Sequence, residues 1–154
     1  MDEKEQQAYI LGAILTLANR LQVLGDKLDD RMTMKQWLLI AIILKSGSPA
    51  PTLSDVAEMI GSSRQNVKKM ALILEKQGFV TLTKDSSDAR MVRLQLTEKC
   101  MVYFAGRSAR EDQFMEALFH SFDAGLTGGL YSGLTRLADN ISRMETDAAD
   151  EEKE

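Results

Sequence analysis

At 154 residues, 44% hydrophobic and 27% charged, the chain is long enough to bury one core without disulfides or a structural metal. One cysteine, Cys100, and one histidine, His120, leave no intrachain disulfide, too few ligands for a zinc finger and little for a nucleophilic triad, so an enzyme is disfavoured and no cofactor is expected. The formal charge of −4 argues against nucleic acid only until its distribution is read: from Lys45 to Arg93 eight Lys and Arg stand against five Asp and Glu, so the acidic excess lies in the flanks. The longest unbroken apolar run, Trp37 to Leu44, has eight residues, against the roughly 20 of a membrane-crossing helix, and Met1 to Gln7 is acidic and polar, unlike a secretory signal. A cytoplasmic protein without a membrane partner is expected.

Ile10, Ile14, Leu17, Leu21, Leu24 and Leu28 recur at steps of three and four, which predicts a long first helix that frays between Gly25 and Asp30. A second, from about Met34 to Lys45, is apolar nearly all round and reads as the buried central helix, stopped by Ser46-Gly47-Ser48-Pro49. Thr52 and Asp55 resemble a capping pair that opens a short helix, Leu53 to Met59, closed by Gly61. Ser62 and Gln65 have the spacing of a capping box, and the helix behind them continues to Gln77, where Gly78 supplies the stop. Phe79 to Thr83 and Val92 to Leu96 alternate with period two across a polar stretch, which predicts a hairpin. Thr97 can cap a long helix through about Phe119, and a last helix from near Thr127 carries Leu130, Leu134, Leu137, Ile141 and Met144 at almost heptad spacing. Asp147 to Glu154 is expected to be a disordered, solvated acidic tail.

Two short capped helices joined through a glycine turn and followed by a hairpin make a winged helix-turn-helix. The expected fold is mainly α with a small β-hairpin wing. Three stretches carry a closer likeness: Leu53-Ser54-Asp55-Val56-Ala57, Ser63-Arg64-Gln65-Asn66-Val67 with Leu74 to Val80, and Asp88-Ala89-Arg90 with Leu94-Gln95-Leu96-Thr97. In these the chain resembles the MarR (multiple antibiotic resistance regulator) family of winged-helix transcription factors, and the flanking helices extend the resemblance over most of its length. One departure is Cys100, where the family often has glycine.

The helical wheel from Ser62 to Gln77 turns Val67, Met70, Ala71 and Leu74 inward and Gln65, Lys69 and Lys76 outward, with Asn66 and Lys68 on the flanks. A recognition helix enters the major groove by its amino-terminal end, which puts Ser62, Ser63, Arg64, Gln65, Asn66, Lys68 and Lys69 in reach of base edges or phosphates. Thr52 and Ser54 can meet phosphate or cap their helix, and both roles can hold. In the wing the resemblance assigns Arg90 to the minor groove or its phosphates and Asp88 to orienting it, with Lys84 and Arg93 adding phosphate contacts.

The resemblance further implies one domain over 1–154. A DNA-binding lobe occupies about 33–97, a dimerisation lobe about 5–30 plus 98–146, and the tail 147–154. It also implies double-stranded DNA and a second copy of the chain as partners, a pseudo-palindromic operator, most often repression, and relief by a small aromatic or anionic effector. Tyr9, Trp37, Cys100, Tyr103 and Phe104 are the candidate pocket, though aromatics at helical spacing also serve as core and a lone thiol is usually an inert small hydrophobe. The rival reading is a winged helix that has lost DNA and binds protein.

Overall fold

The computed structural model describes residues 1–153. Eight elements run in the order α1 (Glu3–Asp26), α2 (Met34–Lys45), α3 (Leu53–Ile60), α4 (Arg64–Lys76), β1 (Val80–Lys84), β2 (Val92–Leu96), α5 (Glu98–Leu118) and α6 (Ala124–Glu151). The chain divides into two compact units, Met1–Gly106 and a second beginning at Arg107.

In the first unit one layer of helices closes over the hairpin. Leu39, Ile40 and Ile43 of α2 meet Leu53 and Val56 of α3, Val67, Ala71 and Leu74 of α4, and Phe79, Val80, Leu94 and Cys100, all buried. The side chains that repeat at three and four along α2–α4, and at two along the strands, are those withdrawn from water, so apolar burial sets the packing. α2 begins as expected at Met34, fixed by a Thr33–Gln36 capping box and by Met34 N donating to Asp26 Oδ1 at 2.7 Å.

The strands pair antiparallel, with Val80 opposite Leu96 and Leu82 opposite Leu94. The α2–α3 connection adds a third extended stub: Leu94 N donates to Pro51 O at 2.9 Å and Thr52 bridges to Arg93. On the other side, Leu82 N donates to Glu75 Oε2 of α4 at 3.0 Å. Thr97 ties the hairpin's exit to α5, donating to Gly78 O at 2.5 Å and accepting from Cys100 N at 3.2 Å.

Several boundaries differ from the sequence reading. The N-cap of α4 is Ser63, whose hydroxyl accepts from Asn66 N at 3.1 Å, rather than Ser62. Gly61 is left-handed (φ 75°) and Ser62 N turns back to Ala57 O, so Ser62 closes α3 and the next residue opens α4. α6 begins at Ala124, capped by Asp123, three residues before the expected start. The acidic tail is not disordered throughout, since α6 runs on to Glu151 with its side chains exposed. α1 starts at Glu3 on an Asp2–Glu5 capping box, and its 24 residues are long and apolar enough to cross a membrane, which corrects the expectation from unbroken apolar runs.

Within the first unit α1 leaves Ile10, Leu11, Ile14, Leu15 and Leu17 exposed. Within the second, α6 does the same with Leu126, Leu130, Leu134, Leu137, Ile141 and Met144. Large apolar faces of this kind mark association surfaces.

Candidate nucleic-acid interface

Gly61 at φ 75° lets α3 stop and α4 begin within three residues. The first turn of α4 therefore projects from the body, and Arg64, Gln65, Asn66, Lys68 and Lys69 are all exposed while Val67 between them is fully buried. Ser63 is exposed but its hydroxyl is engaged as the cap, and Ser62 is half-buried. No acidic residue occupies that turn, so the partial positive charge of the helix N-terminus adds to Arg64, Lys68 and Lys69.

The wing lies against the same end of α4. Arg64 Nη2 donates to Arg90 O at 3.2 Å, joining reading helix and hairpin across 26 residues of sequence. Arg90 pairs with Asp88 as expected, Nε to Oδ1 at 3.2 Å, and its backbone N donates to the same oxygen at 3.0 Å. Its side chain is 92% exposed, so the carboxylate orients the guanidinium without burying it. Lys84, at the end of β1, is also exposed.

Between helix and wing runs a cleft lined by Thr52, Ser54, Asp55, Arg64, Arg90 and Met91. Ser54 is exposed there, but Thr52 is buried and its hydroxyl accepts from Asp55 N at 3.1 Å, so capping is the role its geometry serves. Asp55 and Met91 escaped the sequence reading. The charge of Asp55 explains its place at the start of α3, and nothing in the sequence marks either residue as a neighbour of Arg64 and Arg90.

Arg93 differs from its expected role. Its Nε donates to Asp85 Oδ1 at 2.6 Å and its Nη1 to Ala50 O at 2.8 Å. Asp85 also accepts from Ser87 Oγ at 2.6 Å and from the backbone N of Ser87 and of Asp88, both at 3.1 Å. The Ser87 hydroxyl and then the Arg93 guanidinium hold the Asp85 carboxyl well below the usual carboxylate range, since each favours the charged form.

The five residues proposed for an effector pocket fall in the first unit in different surroundings. Tyr103 and Phe104 come together on α5, ring centres 5.9 Å apart, with Phe79 at 5.0 Å from Tyr103, and the Tyr103 hydroxyl donates to the Asp29 carboxylate. Trp37 packs half-buried against the core. Cys100 is fully buried, and burial pushes its thiol up to about 11. Tyr9 stands 69% exposed on α1. Among the described residues no group of three or more His, Cys, Asp or Glu could hold a metal ion.

A family model described as "MarR family" matches residues 32–92, the span from the start of α2 to the start of β2. The HTH-type transcriptional regulator YfiV of Bacillus subtilis is 33% identical over 112 residues, covering 69% of this chain, and the chain spans 65% of that protein's length. A MarR/EmrR family transcriptional regulator from Acinetobacter sp. ADP1 has a similar structure, with TM-score 0.76 at 18% identity over 89% of this chain and 97% of that one. So does S. aureus MepR, solved as a complex with DNA, with TM-score 0.70 at 14% identity over 83% of this chain and 94% of that one. With a matched helix-turn-helix, a hairpin carrying the Asp88–Arg90 pair and the flanking long helices, the chain belongs to the MarR family.

Proposed function

We propose that the protein is a sequence-specific transcriptional regulator that binds double-stranded DNA as a homodimer on a pseudo-palindromic operator, acts in the cytoplasm as a repressor, and is relieved by a small aromatic or anionic effector. The observation that carries DNA binding is the joining of the exposed first turn of α4 to an exposed, carboxylate-oriented Arg90 through the Arg64–Arg90 hydrogen bond. Arg64 suits guanine, Gln65 and Asn66 suit adenine, and Lys68, Lys69 and Lys84 suit phosphates. Arg90 suits the narrow negative minor groove. The DNA carried by MepR supports the same use of the fold.

One such helix reads few bases, so affinity comes from pairing two half-sites about one helical turn apart. The exposed apolar faces of α1 and α6 support a second copy as the partner, and we assign the apolar length of α1 to that partner rather than to a bilayer. The ring cluster around Tyr103 and Phe104, with Trp37, supports effector binding in its vicinity.

Fluorescence anisotropy on labelled DNA from upstream of the protein's own gene, at two salt concentrations and against a scrambled duplex, tests the reading. Tight, salt-dependent binding that prefers the native sequence is expected. A folded dimer that binds neither this duplex nor other promoters would return the argument to a protein-binding winged helix.

A further inference from the structure

Arg93 was read from the sequence as one more cation for DNA, but its surroundings point elsewhere. Its planar fork makes two hydrogen bonds in different directions, to the Asp85 carboxylate at the base of the wing turn and to Ala50 O in the connection leading into α3. Asp85 in turn gathers the turn itself, through Ser87 N, Ser87 Oγ and Asp88 N. Asp88 is the residue that orients Arg90. A continuous chain of bonds thus runs from the α2–α3 connection through Arg93, Asp85 and Asp88 to the one wing arginine that is free in water.

Energetics separate the two roles. The side chain of Asp85 is 10% exposed and that of Arg93 35%. Pulling Arg93 onto a phosphate would leave a largely buried carboxylate without its cation, which costs more than one further phosphate contact returns. Arg90, at 92% exposure, pays no such penalty. An isolated two-stranded ribbon is marginal in water, so a turn at its tip gains order only from a tether to the body.

We propose that Arg93 is a positioning residue: with Asp85 it braces the wing turn against the α2–α3 connection and so sets where Arg90 meets DNA, without touching the nucleic acid itself. The brace acts by removing disorder from the wing before binding, which raises affinity without adding a phosphate contact. This deepens the DNA-binding reading and rests on it for its effect on affinity, while the brace in the free protein stands apart from it.

The test uses Asp85→Asn and Arg93→Gln in the full chain, with two readouts. In the free protein, both variants are expected to speed amide hydrogen exchange at Ser87, Asp88 and Met91 while the amide of Val67, in the core of α4, keeps its wild-type rate. On operator DNA, both are expected to weaken binding by about tenfold with the same dependence of log affinity on log salt as the wild type.

If Arg93 is instead a phosphate contact, Asp85→Asn frees its guanidinium and leaves affinity equal or higher, whereas Arg93→Gln alone weakens binding and flattens the salt dependence by about 0.9 per protomer. That pattern overturns the proposal, as do unchanged exchange rates in the wing. A wild-type protein that binds no DNA overturns the regulator reading, and the exchange rates then decide the brace by themselves.

Discussion

Replacing Leu134 with Asp tests the dimer where its expected interface is most regular. Leu130, Leu134, Leu137 and Ile141 follow one another at steps of four, three and four along α6, and they remain 44, 47, 36 and 53% exposed. Full burial of such a side chain is worth about 1.5–3 kcal/mol, so roughly 1 kcal/mol remains to be gained at each when a second copy covers the seam. A two-fold axis applies the substitution twice: about 2 kcal/mol of apolar burial is lost, and two carboxylates must leave water at several kcal/mol each. The sum exceeds about 5 kcal/mol, which weakens the dimer more than a thousandfold. Sedimentation velocity across a micromolar concentration series should find dimer for the wild type and monomer for Leu134→Asp, with circular dichroism reporting whether the helices persist. Leu134→Met, which keeps shape and polarity, should cost under about 1.5 kcal/mol and remain dimeric. A Leu134→Asp protein that sediments like the wild type would refute the assignment of this face.

Arg90→Ala should weaken operator binding by about 1–3 kcal/mol per contact and lower the salt slope by about 0.9 per protomer, with no change in thermal stability, because the side chain is solvated; anisotropy titrations over a salt series measure both. Gly61→Ala meets open space and should lose about 1–2 kcal/mol from its left-handed backbone alone. Gly78→Ala should lose about 1 kcal/mol more in urea titrations, because its Cβ would press on the Lys99 side chain that donates to Gln77 O. With its thiol pushed up to about 11, Cys100 holds about one thiolate per thousand molecules at pH 8, so iodoacetamide should modify it only after unfolding. Asp85 is depressed below its unfolded value of about 3.9, so its contribution to wing order is complete above that value and is lost as pH falls beneath it; wing amide shifts should stay constant from pH 8 to about 5 and move only below about 4.

What could be read from sequence was what short-range chemistry decides. The alternation of Val92 to Leu96, the glycine stops at 61 and 78 and the apolar run of α2 each leave a local trace, and each element stands within a few residues of its expected place. Ser62 and Ser63 have equal capping chemistry, and only the turn of Ser62 N back to Ala57 O decides between them. The start of α6 was obscured by Gly125, Gly128 and Gly129, poor helix formers that the Asp123 cap outweighs. Arg93 shows the deeper limit: its charge is plain in the sequence, but its partners lie 8 and 43 residues away, and one of them is a backbone carbonyl that any residue could supply.

At the middle of the hairpin, Leu82 and Leu94 face one another, and the outward N–H of each already has an acceptor, Glu75 on one side and Pro51 on the other. A short ribbon of this kind would otherwise offer two raw edges on which a strand from another molecule could grow. Closing both at the centre lets the protein carry an exposed β element in a crowded cell without templating aggregates, and it locates the weak point: removing the Glu75 carboxylate would reopen the β1 edge.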